Sequence, residues 1–187
     1  MKFLIISGNP KKDGLCNKII EIAAQGVRDG GGEVEILSLS GIERCKVCGD
    51  GWGSCRSWHK CAFGNDGFTK AQESVKAADK LIVITPVYWA EMNETLKSFF
   101  DRLRRCEFGQ GALCKKETLL VASPGGSGNG AIECMDQMDR FCRHTGATIF
   151  DYVSVNRWNN DYKSKAVYSA AKAMAEGRKA GETLVEK

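Results

Sequence analysis

Four cysteines fall within one short stretch, as Cys45-x2-Cys48-x6-Cys55-x5-Cys61. Four thiolates so close in sequence suit a tetrahedral zinc ion or an iron–sulfur cluster, since both take four sulfurs. The same residues also read as thiols without a metal, with Cys45 and Cys48 as a redox pair, or as packing. A second stretch with chemical content is KFLIISGNPKKDGLCNK, Lys2 to Lys18. Apolar Phe3–Ile6 leads into the turn-forming residues Gly8, Asn9, Pro10, Asp13 and Gly14. Leu15, Ile19, Ile20, Ile22, Ala23 and Val27 then follow at helical spacing, so the pattern predicts strand, tight loop, helix. A loop feeding a helix N-terminus aims several backbone N–H groups and a dipole at one spot, which suits a phosphate. Lys11 and Lys12 add positive charge beside it, although a plain strand-to-helix turn with solvated lysines has the same composition.

These stretches need a scaffold, and the rest of the chain describes one. Val34–Leu39 reads as a second strand, Leu81–Ile84 as a third, Thr118–Ala122 as a fourth and Ala147–Val155 as a fifth. Helical spacing covers Phe68–Ala78, with Asp66 placed as a cap, and Glu91–Cys106, with Leu96, Phe99, Phe100 and Leu103 inward. It also covers Ala131–Thr145, where Ile132, Met135, Met138 and Cys142 share a face, and an alanine-rich Lys163–Ala180. Residues 41–67 break the alternation: four cysteines, two tryptophans and no helical period make a cysteine-rich excursion after the second strand. Loops of that length are usually functional. Strands alternating with helices predict a doubly wound five-stranded parallel sheet with helices on both faces.

Ligands of such sheets sit beyond the carboxyl ends of the strands. The loops that follow the three most apolar strands, 7–17, 85–90 and 123–130, should converge there. The first offers backbone donors and lysines, and the second the flat surfaces of Tyr88 and Trp89. The third is rich in glycine and lets backbone approach a ligand closely. Phosphate at one end and a planar heteroaromatic at the other describes flavin mononucleotide (FMN). A dinucleotide is poorly supported, because Ser7-Gly8-Asn9-Pro10 stands where Gly-x-Gly-x-x-Gly would follow the first strand.

Bulk properties narrow the class further. The 187 residues carry 43% hydrophobic and 27% charged side chains with a net charge of +4. That fits one domain spanning 1–187 and an anionic small ligand. A dense Lys/Arg stripe that would argue for nucleic acid is missing. No apolar run approaches the roughly 20 residues needed to span a bilayer, and a signal-type N-terminus is lacking, so the expected setting is cytoplasmic, without a membrane. Nine cysteines in a reducing compartment argue for metal ligands or redox thiols, not disulfides. Cys106, Cys114, Cys134 and Cys142 are expected to be buried, inert thiols, and His59, His144, Asp101 and Arg102 structural or surface groups.

GNPKKDGLCNK, TPVYWAEMNETLKSFFDRL and SPGGSG resemble the flavodoxin-like NAD(P)H-dependent FMN reductases, including their iron–sulfur flavoprotein branch. The resemblance covers nearly the whole chain to about Val155. It implies a flavodoxin-like strand order 2-1-3-4-5 and Asn9, Lys11, Gly14, Leu15 and Cys16 around the FMN phosphate. It further implies Pro86, Val87, Tyr88 and Trp89 beside the ribityl chain and ring, with Pro124, Gly125 and Gly126 closing the far side. The branch carries a compact four-cysteine motif at the place of Cys45, Cys48, Cys55 and Cys61, although its third cysteine comes sooner. The chemistry expected is hydride transfer from NAD(P)H to FMN and onward to a small acceptor such as a quinone or flavin. No catalytic side chain is required of the protein for that. The alternative is an electron carrier using FMN plus an iron–sulfur cluster and a redox protein partner. The resemblance also implies a homodimer.

Overall fold

Phe3–Ile6 has no polar alternation, so its side chains need cover on both sides of a sheet. That run is the heart of β1 (Lys2–Ser7) in a computed structural model that describes residues 1–182. The last five residues of the expected domain, 183–187, lie outside the described residues. Parallel strands β2 (Glu33–Ser38), β3 (Lys80–Tyr88), β5 (Glu117–Ser123) and β6 (Thr148–Ser154) complete the sheet in the order β2-β1-β3-β5-β6. The fold class is the expected flavodoxin-like one. A sixth strand, β4 (Glu91–Met92), pairs antiparallel with the end of β3 and was not anticipated.

The pleat sorts the apolar residues onto two faces. Phe3, Ile5, Ile82, Ile84, Leu119 and Val121 pack under α1 (Leu15–Asp29) and α6 (Asn160–Ala175). Leu4, Ile6, Leu81, Val83, Leu120 and Ala122 pack under α3 (Phe68–Ala77), α4 (Glu94–Cys106) and α5 (Ala131–Thr145). The outer strands β2 and β6 are largely exposed. Register holds along the central pairs, with one irregularity between β5 and β6 at Thr118/Leu119. Half-buried Lys116 closes the C-terminus of α3, its Nζ donating to the carbonyls of Val75, Lys76 and Ala78 at 2.7, 2.7 and 2.6 Å. A cation at a helix C-terminus satisfies orphan carbonyls and the dipole together.

Several boundaries differ from the expectation for local reasons. Pro86 does not end the third strand: it sits in register with Ser123 at the last ladder step, where a missing N–H costs little. Tyr88–Glu91 then closes a two-residue hairpin whose central residues, Trp89 and Ala90, have φ of 52° and 64°. Two successive positive φ values match the twist of a tight hairpin, though non-glycine residues are strained there. Consequently α4 begins at Glu94, capped by Asn93, whose side chain accepts from the Leu96 N–H at 3.1 Å. The closing helix starts at Asn160 and ends at Ala175, before the glycine at 177. The 41–67 excursion contains a short helix, α2 (Ser54–Trp58), and one 3-10 turn at Gly64–Asp66. Ile132 faces outward, 81% exposed, unlike Met138 and Cys142. Cys106, Cys134 and Cys142 are buried, but Cys114 lies on the surface, because it falls in the loop between α4 and β5 and not on a helix face.

Candidate functional site

The loops at the carboxyl edge of the sheet are stitched together by backbone and a few buried polar groups. Gly8 N–H donates to the Ile84 carbonyl at 2.9 Å. Its Cα passes so close to Asn93, Thr85 and Leu96 that a methyl group there would overlap them. Asn93, besides capping α4, donates its Nδ2 to the Gly8 carbonyl, and its backbone N–H donates to Thr85 Oγ1 at 3.3 Å. One helix cap therefore ties the first loop to the second. Gly130, at φ +76°, packs directly on the Ala90 backbone and ties the third loop to the second. A fourth segment joins them: Arg157 Nε donates to the Gly125 carbonyl at 3.1 Å. Sequence reading missed Thr85, Asn93 and Arg157. Only Asn93 left a signal, as an asparagine just before a helical run.

The residues expected on the cofactor occupy this rim in different ways. Lys11 and Gly14 are exposed, and Leu15 is half-buried. Asn9 is buried, and its amide is committed inside the loop, with Nδ2 donating at 2.8 Å to both the Lys11 carbonyl and Asn17 Oδ1. It shapes the loop through those bonds. Cys16 points into the core under α1, and burial pushes its thiol up to about 12, so the side chain is neutral. Its backbone N–H remains in the first turn of α1, which has no side-chain cap. Uncapped first-turn N–H groups are unsatisfied donors. Pro86 and Pro124 are buried, and Val87 is half-buried. Tyr88 is 43% and Trp89 98% exposed, while nothing in the protein lies within 4 Å of where a Gly125 side chain would stand. Uncapped donors, an exposed aromatic pair and an open glycine loop fit FMN in kind.

The cysteine excursion lies on the α4 side of the sheet. Cys45, Cys48, Cys55 and Cys61 line one cavity of about 20 Å³ with Arg102, Arg105 and Cys106. The tertiary structure thus brings the four loop thiols together and adds a fifth. Among the described residues, no three or more His, Cys, Asp or Glu side chains already stand at metal-holding geometry. The donor set fits a thiolate-held centre in kind, and its sulfurs would have to close around the metal. Burial, then the neighbouring Cys48, raises the Cys55 thiol, while Arg105 pulls it down. Burial and the nearby Cys61 and Cys55 sulfurs push Cys106 up to about 12.

Arg102 holds the excursion in place. Its side chain is 2% exposed and pairs with Asp66 at 2.6 Å. It also donates to the carbonyls of Glu43 at 2.7 Å and Phe63 at 3.0 Å and to Cys61 Sγ at 3.3 Å. The guanidinium stacks 4.1 Å from the Phe68 ring centre. Asp66 additionally accepts from the N–H groups of Glu43 at 2.8 Å and Phe68 at 3.1 Å. The N-cap of α3 is Gly67, so the residue expected to cap the helix stands one place before it and anchors the loop. Burial raises the Asp66 pKa, but those bonds, led by Arg102, outweigh it and leave the carboxyl below its ordinary value. His59 packs in the same region, its Nδ1 3.2 Å from the Cys106 carbonyl.

Known proteins share both the sequence and the fold. The family model for NADPH-dependent FMN reductase matches residues 1–160. An iron–sulfur flavoprotein of Methanosarcina thermophila is 36% identical over 138 residues, covering 71% of this chain and 68% of that protein. Further iron–sulfur flavoproteins match over 46%, 63% and 55% of their own lengths. Among solved structures, an azoreductase from Bacillus anthracis superposes with a TM-score of 0.70 at 16% identity, covering 94% of this chain and 98% of that one. A flavodoxin from the domain Archaea does so with 0.64 at 15% identity, covering 94% of this chain and 97% of that one. With two thirds of a 36%-identical relative covered and the family model matched across the whole sheet, the chain belongs to the NADPH-dependent FMN reductase family, in its iron–sulfur flavoprotein branch, and is an oxidoreductase.

Proposed function

We propose that the chain acts as one FMN-binding domain that takes reducing equivalents from NAD(P)H and passes them to a small acceptor such as a quinone or a flavin. The observation that carries this is the fusion of four strand-end segments into one rim through Gly8, Asn93, Gly130 and Arg157. The start of α1 would take the phosphate on its free N–H groups, with Lys11 adding charge. Val87, Tyr88 and Trp89 would flank the ribityl chain and ring, and Pro124, Gly125 and Gly126 the opposite side. Bound there, FMN would supply the hydride-accepting centre. The protein's own part is to orient the ring, exclude water behind buried Pro86 and Pro124, and leave one face open for a transient nicotinamide. Rapid mixing tests this: NADH or NADPH should bleach bound FMN within seconds. FMN that stays oxidised for minutes with both, yet is bleached by dithionite, removes the reductase reading.

A second reading rests on its own observation, the convergence of Cys45, Cys48, Cys55 and Cys61 on one cavity walled by two arginines. In that reading the loop would hold an iron–sulfur cluster and the protein would carry electrons between FMN and a redox protein partner; zinc in its place would only brace the loop, having no redox chemistry. Oxygen-free purification followed by iron, zinc and sulfide assays decides it, and a flavin spectrum with no metal refutes it. Exposed Trp89, Ile132 and Trp158 around the rim support burial against a second copy, and a monomer by light scattering would contradict that homodimer. Nine free cysteines suit a reducing setting such as the cytoplasm.

A further inference from the structure

Arg102 has one donor that its structural role does not explain. Nη1 and Nη2 account for all its bonds to Asp66, Glu43, Phe63 and Cys61. Nε–H is buried and has no acceptor in the protein. Buried donors are paired in nearly all folded proteins, and an exception calls for a physical reason. An arginine needed only to anchor the excursion could have kept this N–H toward solvent or toward a carbonyl. Instead, Arg102 forms part of the wall of the cavity that the loop thiols line. It is also the only cation whose hydrogen bond to one of those sulfurs, Cys61, is seen among the described residues.

The charge balance points the same way. Four thiolates around a metal centre leave a net negative group in a small cavity. Asp66 balances the Arg102 charge formally, so what Arg102 adds at the sulfurs is its N–H donors. Arg105 stands on the same wall and donates to the Gly51 carbonyl. Hydrogen bonds and positive charge beside cluster sulfurs favour the more negative, reduced form and so raise the potential.

We propose that Arg102 is the positioning residue of the thiol site: Nη2 fixes Cys61, and the unpaired Nε–H donates to an iron–sulfur group held by Cys45, Cys48, Cys55 and Cys61. This rests on the second reading above. The test uses the full chain, purified without oxygen and reconstituted with ferrous iron and sulfide, with Arg102→Lys and Arg102→Gln beside the unaltered protein. Iron and sulfide per chain, FMN per chain and the cluster midpoint from a redox titration are read for each. Arg102→Lys keeps the charge and loses the guanidinium fork, with the Nη2 bond to Cys61 and the Nε–H together. It should retain iron and FMN while its midpoint falls, by about tenfold in the reduced-to-oxidised ratio at fixed potential, or about 59 mV for one electron. Arg102→Gln should also lose at least half of its iron. A wild-type midpoint in Arg102→Lys overturns the donor role, even if Arg102→Gln loses iron through loosening of the loop. An unaltered protein that takes up FMN but no iron overturns the four-thiol reading itself, and this proposal with it.

Discussion

The rim at the carboxyl edge and the cysteine excursion are held by opposite means. The rim is the end of a parallel ladder: its positions follow from β1, β3 and β5, and its stitches are mostly backbone atoms meeting glycines. The excursion has no ladder. It is 27 residues of loop (41–67) docked on α3 and α4 by side chains, chiefly Arg102, with Gln72 donating to the His59 carbonyl at 3.1 Å. At the rim the tightest contacts are glycines against backbone and cap atoms, which a bulkier residue would overlap, whereas the excursion depends on one buried side chain, which a smaller residue would remove. The two regions meet along α4, whose cap Asn93 belongs to the rim and whose last turns carry Arg102, Arg105 and Cys106.

That contrast can be broken from either side. The largest effect should come from Arg102→Ala, which leaves half-buried Asp66 without its charged partner and should cost about 3 kcal/mol by urea unfolding. The acid limb carries a signature of the same pair. Because the folded pKa of Asp66 is depressed, its contribution is fully present above the unfolded carboxyl value of about 3.9 and is lost as pH falls through the lower folded value. In Arg102→Ala the dependence of stability on pH below about 4 should therefore flatten. Equal slopes in the two proteins would show that the pair does not anchor the loop. Gly130→Ala attacks the rim instead, with overlap on the Ala90 backbone and a positive φ. A cost of about 1–3 kcal/mol is expected, together with weaker FMN binding by fluorescence quenching and unchanged metal content. Trp89→Ala should have the smallest effect on folding, within about 0.5 kcal/mol at so exposed a position. Its FMN affinity should fall by about 0.5–1.5 kcal/mol for the lost aromatic contact, and unchanged affinity would remove Trp89 from the site.

Much of the rim was legible in the primary structure because its cause is local. Unbroken apolar runs at Phe3–Ile6 and Leu81–Ile84 demand a two-sided sheet, and the glycines and prolines after them mark where it ends. What pattern reading mistook was local conformation overridden by tertiary pairing. Pro86 looks like a breaker yet lies inside β3, and Trp89-Ala90 has no turn-forming composition yet closes a hairpin. Arg102 reads as one more charge in a last helical turn. Its partners, Asp66 and Cys61, lie 36 and 41 residues away, and no periodicity links such positions.

By itself the order of residue types determined the layered architecture, the edge at which the glycine- and proline-bearing loops gather and the concentration of thiols in one excursion, because backbone propensity and apolar periodicity act over a few neighbours. Only the tertiary structure decided that the Asn9 amide is spent inside its own loop and that the Cys16 thiol is turned into the core. It alone put Cys106 beside the four loop thiols and a buried guanidinium against Cys61. Those arrangements depend on desolvation and hydrogen-bond pairing between segments that become neighbours only once the sheet is assembled.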